Sequence, residues 1–164
     1  MYLPVVKEIV LKCGVVTVVD DDVFEWASKY SWRLKGKPGR KYATRTTHVA
    51  MKSKEFRLHN EILGIIGVDH IDGDKLNNLR DNLRPATAQQ QAQNTRKRKG
   101  CSSRFKGVCF DRGCWRADIT PPGQKQFNLG FFNDEQSAAQ AYDEKAKVLF
   151  GAFAKLNFPT EQEK

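Results

Sequence analysis

No apolar run in this chain is long enough to cross a bilayer. The longest, such as Val15-Val16-Thr17-Val18-Val19, are short and β-branched, which suits a strand. The first residues carry Lys7 and Glu8 and lack the apolar core and cleavage site of a secretory leader. A basic amphipathic helix is also missing, which disfavours an acidic membrane surface as partner. These absences lead to the expectation of a soluble, intracellular, cytoplasmic protein with no membrane partner. Cysteine is scarce. Cys13, Cys101, Cys109 and Cys114 form no C-x-x-C pair, so reduced thiols are favoured over a metal knuckle or disulfides. No internal repeat occurs.

Acidic residues are outnumbered. Lys and Arg total 28 against 19 Asp and Glu, a formal charge of +9 that favours polyanionic partners, nucleic acid first. With 164 residues, 40% hydrophobic and 10% aromatic, the chain can bury one moderate core or two small ones, and disorder of the whole is excluded.

The N-terminal third reads as strand, helix, strand. After the valine run, Asp22 and Glu25 form a capping box, and Val23, Trp26, Ala27 and Tyr30 supply the apolar stripe of a short helix. Gly36, Pro38 and Gly39 punctuate a turn, and Tyr42 to Val49 is extended. Phe56, Leu58, Ile62 and Leu63 fit a second short helix or a strand-helix junction. Thr87, with Gln90 three positions on, marks the N-cap of a polar helix. The basic stretch from Thr95 to Ser103 has no apolar periodicity and reads as a linker. Beyond it, Phe105 to Ile119 and Lys125 to Leu129 read as strands, with turns at Asp111-Arg112-Gly113 and Pro121-Pro122-Gly123. Asn133 and Gln136 form another capping box, and Ala139, Tyr142, Ala146 and Leu149 form a helical stripe ended by Gly151.

Chemistry concentrates between Val68 and Asn94, in the run VDHIDGDKLNNLRDNLRPAT and the segment behind it. Phosphodiester hydrolysis needs a base for the attacking water and a cation to take up charge on the phosphate oxygens. A neutral histidine suits the first task and a carboxylate holding a hard dication the second. Two short strands joined by the Asp72-Gly73-Asp74 turn would set Asp69 and His70 opposite the helix that follows Thr87. Asp72 and Asp74 themselves read as turn formers, because Asx side chains bond the backbone two residues on. His59 reads as a core or hydrogen-bonded residue and His48 as exposed.

This run resembles the signature of the H-N-H homing endonucleases of phages and mobile elements, and the resemblance extends upstream through FRLHNEILG to roughly residue 10. It implies a ββα-metal site with one divalent ion, Mg²⁺ or Mn²⁺. By position Asp69 matches the metal-binding acid, His70 the general base, and Asn82 the middle Asn that fixes the histidine loop. The third position, usually Asn or His, is Gln91. Its amide oxygen is a suitable hard donor, with roughly 1.5 Å more reach than Asn. Asn94, nearly one turn further on, is the alternative donor.

The segment from Phe105 to Pro159 resembles the Apetala-2/ethylene-response-factor DNA-binding domain. The matching pieces are Phe105-Lys106-Gly107-Val108, Trp115-Arg116-Ala117-Asp118-Ile119, Asn128-Leu129-Gly130-Phe131-Phe132, and Ala139 through Lys155-Leu156-Asn157-Phe158-Pro159. The resemblance implies a three-stranded sheet in the major groove with a helix packed behind it. By position Lys106, Cys109, Arg112, Asp118, Gln126 and Asn128 correspond to DNA-facing places, with Arg116 an added phosphate contact. Several family arginines and a tryptophan are absent there, so the target of plant relatives does not transfer. Trp115, Phe131, Phe132 and Tyr142 are read as packing between sheet and helix in preference to base stacking. Arg96, Lys97, Arg98 and Lys99, joining the two parts, are read as tracking phosphates rather than as merely solvated or a nuclear-import signal.

The expected class is therefore α+β. An N-terminal ββα-metal nuclease domain spans 1–94, a basic linker 95–103, and a three-stranded antiparallel sheet packed on one helix 104–160. Double-stranded DNA is the expected partner of a monomer without a small-molecule cofactor, in a bacterial host cell and phage-encoded. The competing reading is a DNA-binding regulator that keeps the scaffold but has lost the chemistry.

Overall fold

The valine run becomes β2 (Val16–Asp20), which pairs antiparallel with β1 (Val6–Val10), a strand that the sequence reading lacks. The computed structural model describes residues 5–49, 52–95, 97, 100 and 102–160. The chain divides into two compact units, the first ending at Thr87 and the second beginning at Ala88. Helices and antiparallel strands alternate without a parallel sheet order, in keeping with an α+β class.

In the first unit β2 runs straight into α1 (Asp21–Ala27), which buries Val23 and Ala27. The expected capping box at Asp22 does not form. With no turn between strand and helix, Asp20 occupies the cap position without a side-chain cap bond. Asp20 and Asp22 instead accept from Arg80, through its backbone N–H at 2.8 Å and its guanidinium at 2.6 Å. Tyr30 lies beyond the helix and is exposed.

β3 (Arg33–Lys37), β4 (Arg40–Val49) and β5 (Lys52–Arg57) form an antiparallel sheet in that order, and β5 leads directly into α2 (Leu58–Leu63). Arg45 ties β4 to α2 by a two-pronged ion pair with Glu61 and stacks over the Tyr30 ring at 4.1 Å. β6 (Val68–His70) and β7 (Leu83–Pro85) pair antiparallel. They are joined by all of residues 71–82, not by the Asp72-Gly73-Asp74 turn alone. That longer loop forms because Asp72 and Asp74 cap successive backbone amides and a short 3₁₀ turn, Arg80–Asn82, returns the chain. One core gathers Ile9, Leu11, Val19, Val23, Trp32, Leu58, Ile62, Val68 and Leu83 beneath these elements.

In the second unit α3 (Ala88–Gln93) starts one residue after Thr87. β8 (Val108–Asp111), β9 (Cys114–Ile119) and β10 (Phe127–Phe132) form an antiparallel sheet with β9 in the centre. The β8–β9 hairpin turns on Arg112 and Gly113, both at positive φ (51° and 87°), the twist that two-residue hairpin loops require. The last strand begins two residues later than expected and runs to Phe132, because the Pro121 turn extends through Gln124, whose N–H reaches the Pro121 carbonyl at 3.2 Å. α4 (Glu135–Phe150) packs Ala138, Ala139, Tyr142 and Ala146 on the sheet. Its cap is Asp134, not Asn133. The Asp134 carboxylate accepts both the Ser137 N–H (2.8 Å) and its hydroxyl (2.6 Å), two bonds to one charged acceptor.

A register shift between Asn128 and Gly130 pairs Phe132 with Trp115 on the helix side and Phe131 with Arg116 on the other. Phe131 is consequently 61% exposed, which corrects its assignment to the core. Tyr142 is buried, and Trp115 and Phe132 pack on the core as expected. Gly107, at φ 76°, lies flat on the Tyr142 ring, where a Cβ would overlap it. Asp143 is buried and accepts the N–H groups of Asn157 and Phe158 (2.9 and 2.8 Å), while the Asn157 amide bonds both backbone groups of Lys106. Ser102 and Ser103, read as the end of a linker, are tied into this unit by bonds from the Phe110 and Phe105 N–H groups. Among the described residues, Cys13, Cys109 and Cys114 are free thiols and no helix is long and apolar enough to cross a membrane. Cys101 lies outside the described residues.

Candidate functional site

Asp69 and His70 sit side by side on β6, and alternation along the strand sends their side chains to opposite faces. Both are buried, Asp69 to 2% exposure and His70 to 0%. The Asp69 carboxylate lies across the ladder from Arg84, whose guanidinium reaches it at 3.0 Å, and Lys75 approaches the other oxygen at 3.7 Å. Burial lowers the Lys75 ammonium below its ordinary range, with Asp69 opposing.

The His70 imidazole packs edge-on to His59, ring centres 4.9 Å apart, with Tyr42 against both. Burial first, then the Lys75 charge, pushes His70 down to about 4, so its ring is neutral at neutral pH. His59 falls to about 3, by burial and then by its charged neighbours. It is buried as a core residue, and His48 is exposed on β4, as the sequence suggests. Asn78, 0% exposed, approaches His70 Nε2 through its side-chain oxygen at 3.2 Å.

Asn82 fastens the loop behind this pair. Its amide oxygen accepts the Asp72 N–H at 3.0 Å, and its NH₂ donates to the Asp72 carboxylate (3.0 Å) and the Asn77 carbonyl (2.7 Å). Removing Asn82 would release three bonds that hold the loop closed. Gln91 and Asn94 belong to the unit that begins at Ala88, Gln91 on α3 and half-buried, Asn94 just beyond it and buried.

A hard dication selects carboxylate, amide and water oxygens. Asp69 with the amide of Gln91 or Asn94 supplies that donor chemistry. Among the described residues no three His, Cys, Asp or Glu side chains are gathered for a metal, so such an ion would draw on amide oxygens and water as well as one carboxylate. Asp69 is moreover buried and rigid on a strand, and it already attracts two cationic side chains, so its surroundings favour positive charge.

On the sheet of the second unit, cross-strand pairing puts Cys109, Arg116, Asp118 and Asn128 on one face, away from α4. Arg116 is clamped there by Asp118 at 2.9 Å and Asp111 at 2.5 Å, and Asn128 donates to Asp118 at 3.4 Å. Arg112 is exposed on the hairpin and Gln126 just before β10. Lys106 is set apart. Its half-buried ammonium donates to the Gln93 carbonyl, and burial, then Lys155, pushes it down to about 8. Lys97 donates to the Ser103 carbonyl, and Arg96, Arg98 and Lys99 lie outside the described residues.

Sequence reasoning did not single out Thr17, Lys75, Asn78 or Arg84. Thr17 did carry a signal, as the polar residue in a valine run, and Asn78 as half of the Asn77-Asn78 pair. Their pairing across the fold has no local signature.

Comparison with known proteins follows the same division. The sequence model of a family described as HNH endonuclease matches residues 66–93. The chain is 36% identical over 149 residues to an uncharacterized HNH endonuclease of Acanthamoeba polyphaga mimivirus, covering 88% of this chain and 75% of that protein. It is 34% identical over 91 residues to protein 3.8 of Escherichia phage T7, covering 54% of this chain and 74% of the phage protein. A stretch of 48 residues is 48% identical to dehydration-responsive element-binding protein 2A of Arabidopsis thaliana, covering 29% of this chain and 14% of the plant protein.

Proposed function

Because the chain belongs to the HNH endonuclease family and carries an Apetala-2-type domain, we propose that it is a homing-type, metal-dependent endonuclease that hydrolyses phosphodiester bonds in double-stranded DNA. Residues 1–94 would carry the chemistry, with the ββα-metal arrangement completed by the helix after Thr87. Residues 95–103 would track phosphates, and residues 104–160 would place the cut by setting the sheet in the major groove. The observation that carries this reading is the buried, neutral His70 beside the carboxylate of Asp69 on one short strand.

His70 takes the proton of the attacking water. Asn82 holds the loop that frames it, so the base keeps its position through the reaction. A divalent cation held by Asp69 with Gln91 or Asn94 would supply charge neutralisation at the scissile phosphate and the departing 3′-oxygen. Lys75 and Arg84 add positive charge on the same side. On the sheet, Asn128, Arg112, Gln126 and Cys109 meet base edges, while Asp118 and Asp111 fix the Arg116 fork so that its remaining donors face the DNA.

The direct test is conversion of supercoiled plasmid to nicked or linear DNA with Mg²⁺ or Mn²⁺. Activity lost on chelation and restored by added metal is the expected result; cleavage indifferent to metal would remove the reading. A second reading, a DNA-binding protein without the chemistry, draws on Gln91, on the two cations already at Asp69, and on the complete burial of His70. It predicts salt-sensitive DNA binding with no cleavage under any metal.

A further inference from the structure

The side chains of Thr17, Asn78 and His70 form a buried line in which each hydrogen atom has one place to go. All three residues are 0% exposed. The Thr17 hydroxyl lies 2.6 Å from the Leu76 carbonyl, which only accepts, so the single hydroxyl hydrogen is spent there. Thr17 Oγ1 must then accept from its other neighbour, the Asn78 amide nitrogen at 2.7 Å. That fixes which way the Asn78 amide points, an orientation that is otherwise ambiguous in an Asn side chain. Its NH₂ faces Thr17 and its oxygen faces His70 Nε2 at 3.2 Å. An amide oxygen cannot donate, so Nε2 must carry the hydrogen. The backbone clamps the line from both ends. The Val18 N–H donates to the Leu76 carbonyl at 3.0 Å and the Asn78 N–H to the Val18 carbonyl at 2.9 Å.

We propose that Thr17 and Asn78 are positioning residues that hold neutral His70 in its Nε2–H tautomer, leaving the Nδ1 lone pair as the base that takes the proton from the attacking water. The inference rests on His70 being the base of the proposed reaction. The tautomer itself is a property of the folded chain and is measured without any cleavage.

The chain has 3 histidines, so ¹⁵N-histidine labelling gives a small, assignable set of ring signals, with His70→Ala identifying its own. In the full-length protein near neutral pH, the pyridine-like nitrogen of His70 is expected to be Nδ1 and the pyrrole-like one Nε2. The reverse assignment, or an even mixture, overturns the proposal whether or not the protein cuts DNA. Thr17→Val keeps the shape of the side chain and removes the hydroxyl, freeing the Asn78 amide to turn over. The His70 signals should then move toward a mixture, and the single-turnover nicking rate on supercoiled plasmid should drop roughly 10- to 100-fold, as loss of an orienting partner does, with plasmid binding unchanged. Thr17→Ser, which restores the hydroxyl, should recover both. An unaltered His70 tautomer in folded Thr17→Val would overturn the role of Thr17. If the tautomer behaves as described but the wild type never cuts, the positioning stands and the nuclease reading fails.

Discussion

At Asp69 and His70 the protein holds two polar side chains out of water on one strand, and each is kept in the ionisation state that its task requires by different means. Asp69 keeps its charge through Arg84 and Lys75, whereas His70 loses its charge through burial. His70→Ala should therefore slow plasmid cleavage by about 10²- to 10⁴-fold, the usual loss for a general base, while gel-shift affinity for DNA stays close to wild type. Gln91→Asn shortens the reach of the helix donor by about 1.5 Å and tests whether its length limits the reaction. Faster metal-dependent cleavage in that variant is the expected outcome, read as nicking rate against Mg²⁺ concentration. The buried imidazoles also fix an acid limit. His59 is held neutral down to about 3, whereas in an unfolded chain a histidine takes up a proton near 6.5. Between these values the unfolded chain binds more protons, so stability is complete above about pH 6.5 and declines as pH falls toward 3. Denaturant midpoints followed across that range should fall, and His59→Gln should flatten the decline; a midpoint independent of pH in the wild type would count against the burial argument.

Among the elements, the second unit depends on two close fits. Gly107 lies against Tyr142 at a positive φ, so Gly107→Ala combines overlap with backbone strain. It should cost about 2–4 kcal/mol, visible as a lowered melting transition. Much of the element structure was legible in the sequence because its signals are local. The Asp111-Arg112-Gly113 turn, the strand-helix junction at Arg57, and the stripe through Ala139, Tyr142 and Ala146 each follow from neighbouring residues. Element ends were less legible, since Asp134 outbid Asn133 for the cap through a charge that a spacing rule does not weigh. β1 was missed because Val6–Val10 mixes Lys7 and Glu8 into a mostly exposed strand with one buried residue. Within the candidate site the Asp69-His70 pair and the Asn82 brace were readable from their run. Thr17 was not, because its bond to Asn78 spans 61 positions and only the folded chain brings the two together.

For the molecule as a whole, an excess of 9 positive charges sets how DNA is met before any base is read. Affinity for duplex DNA should fall linearly in a log–log plot against salt, with a slope of about 0.9 for each phosphate neutralised. Replacing Arg96, Lys97, Arg98 and Lys99 together by Ala should lower that slope by up to about 3–4 if the stretch tracks phosphates. An unchanged slope, measured by fluorescence anisotropy over a salt series, would leave those residues merely solvated. The clasp of Asp143 and Asn157 acts on a different axis, that of time. Asn157 secures Lys106 from 51 positions downstream, so the second unit cannot close until its last residues have left the ribosome. Thr17, Asn78 and Asn82 all emerge well before then. The framework around His70 can thus be set while the DNA-reading sheet is still being made, and a nascent chain acquires its cutting end before the part that directs it.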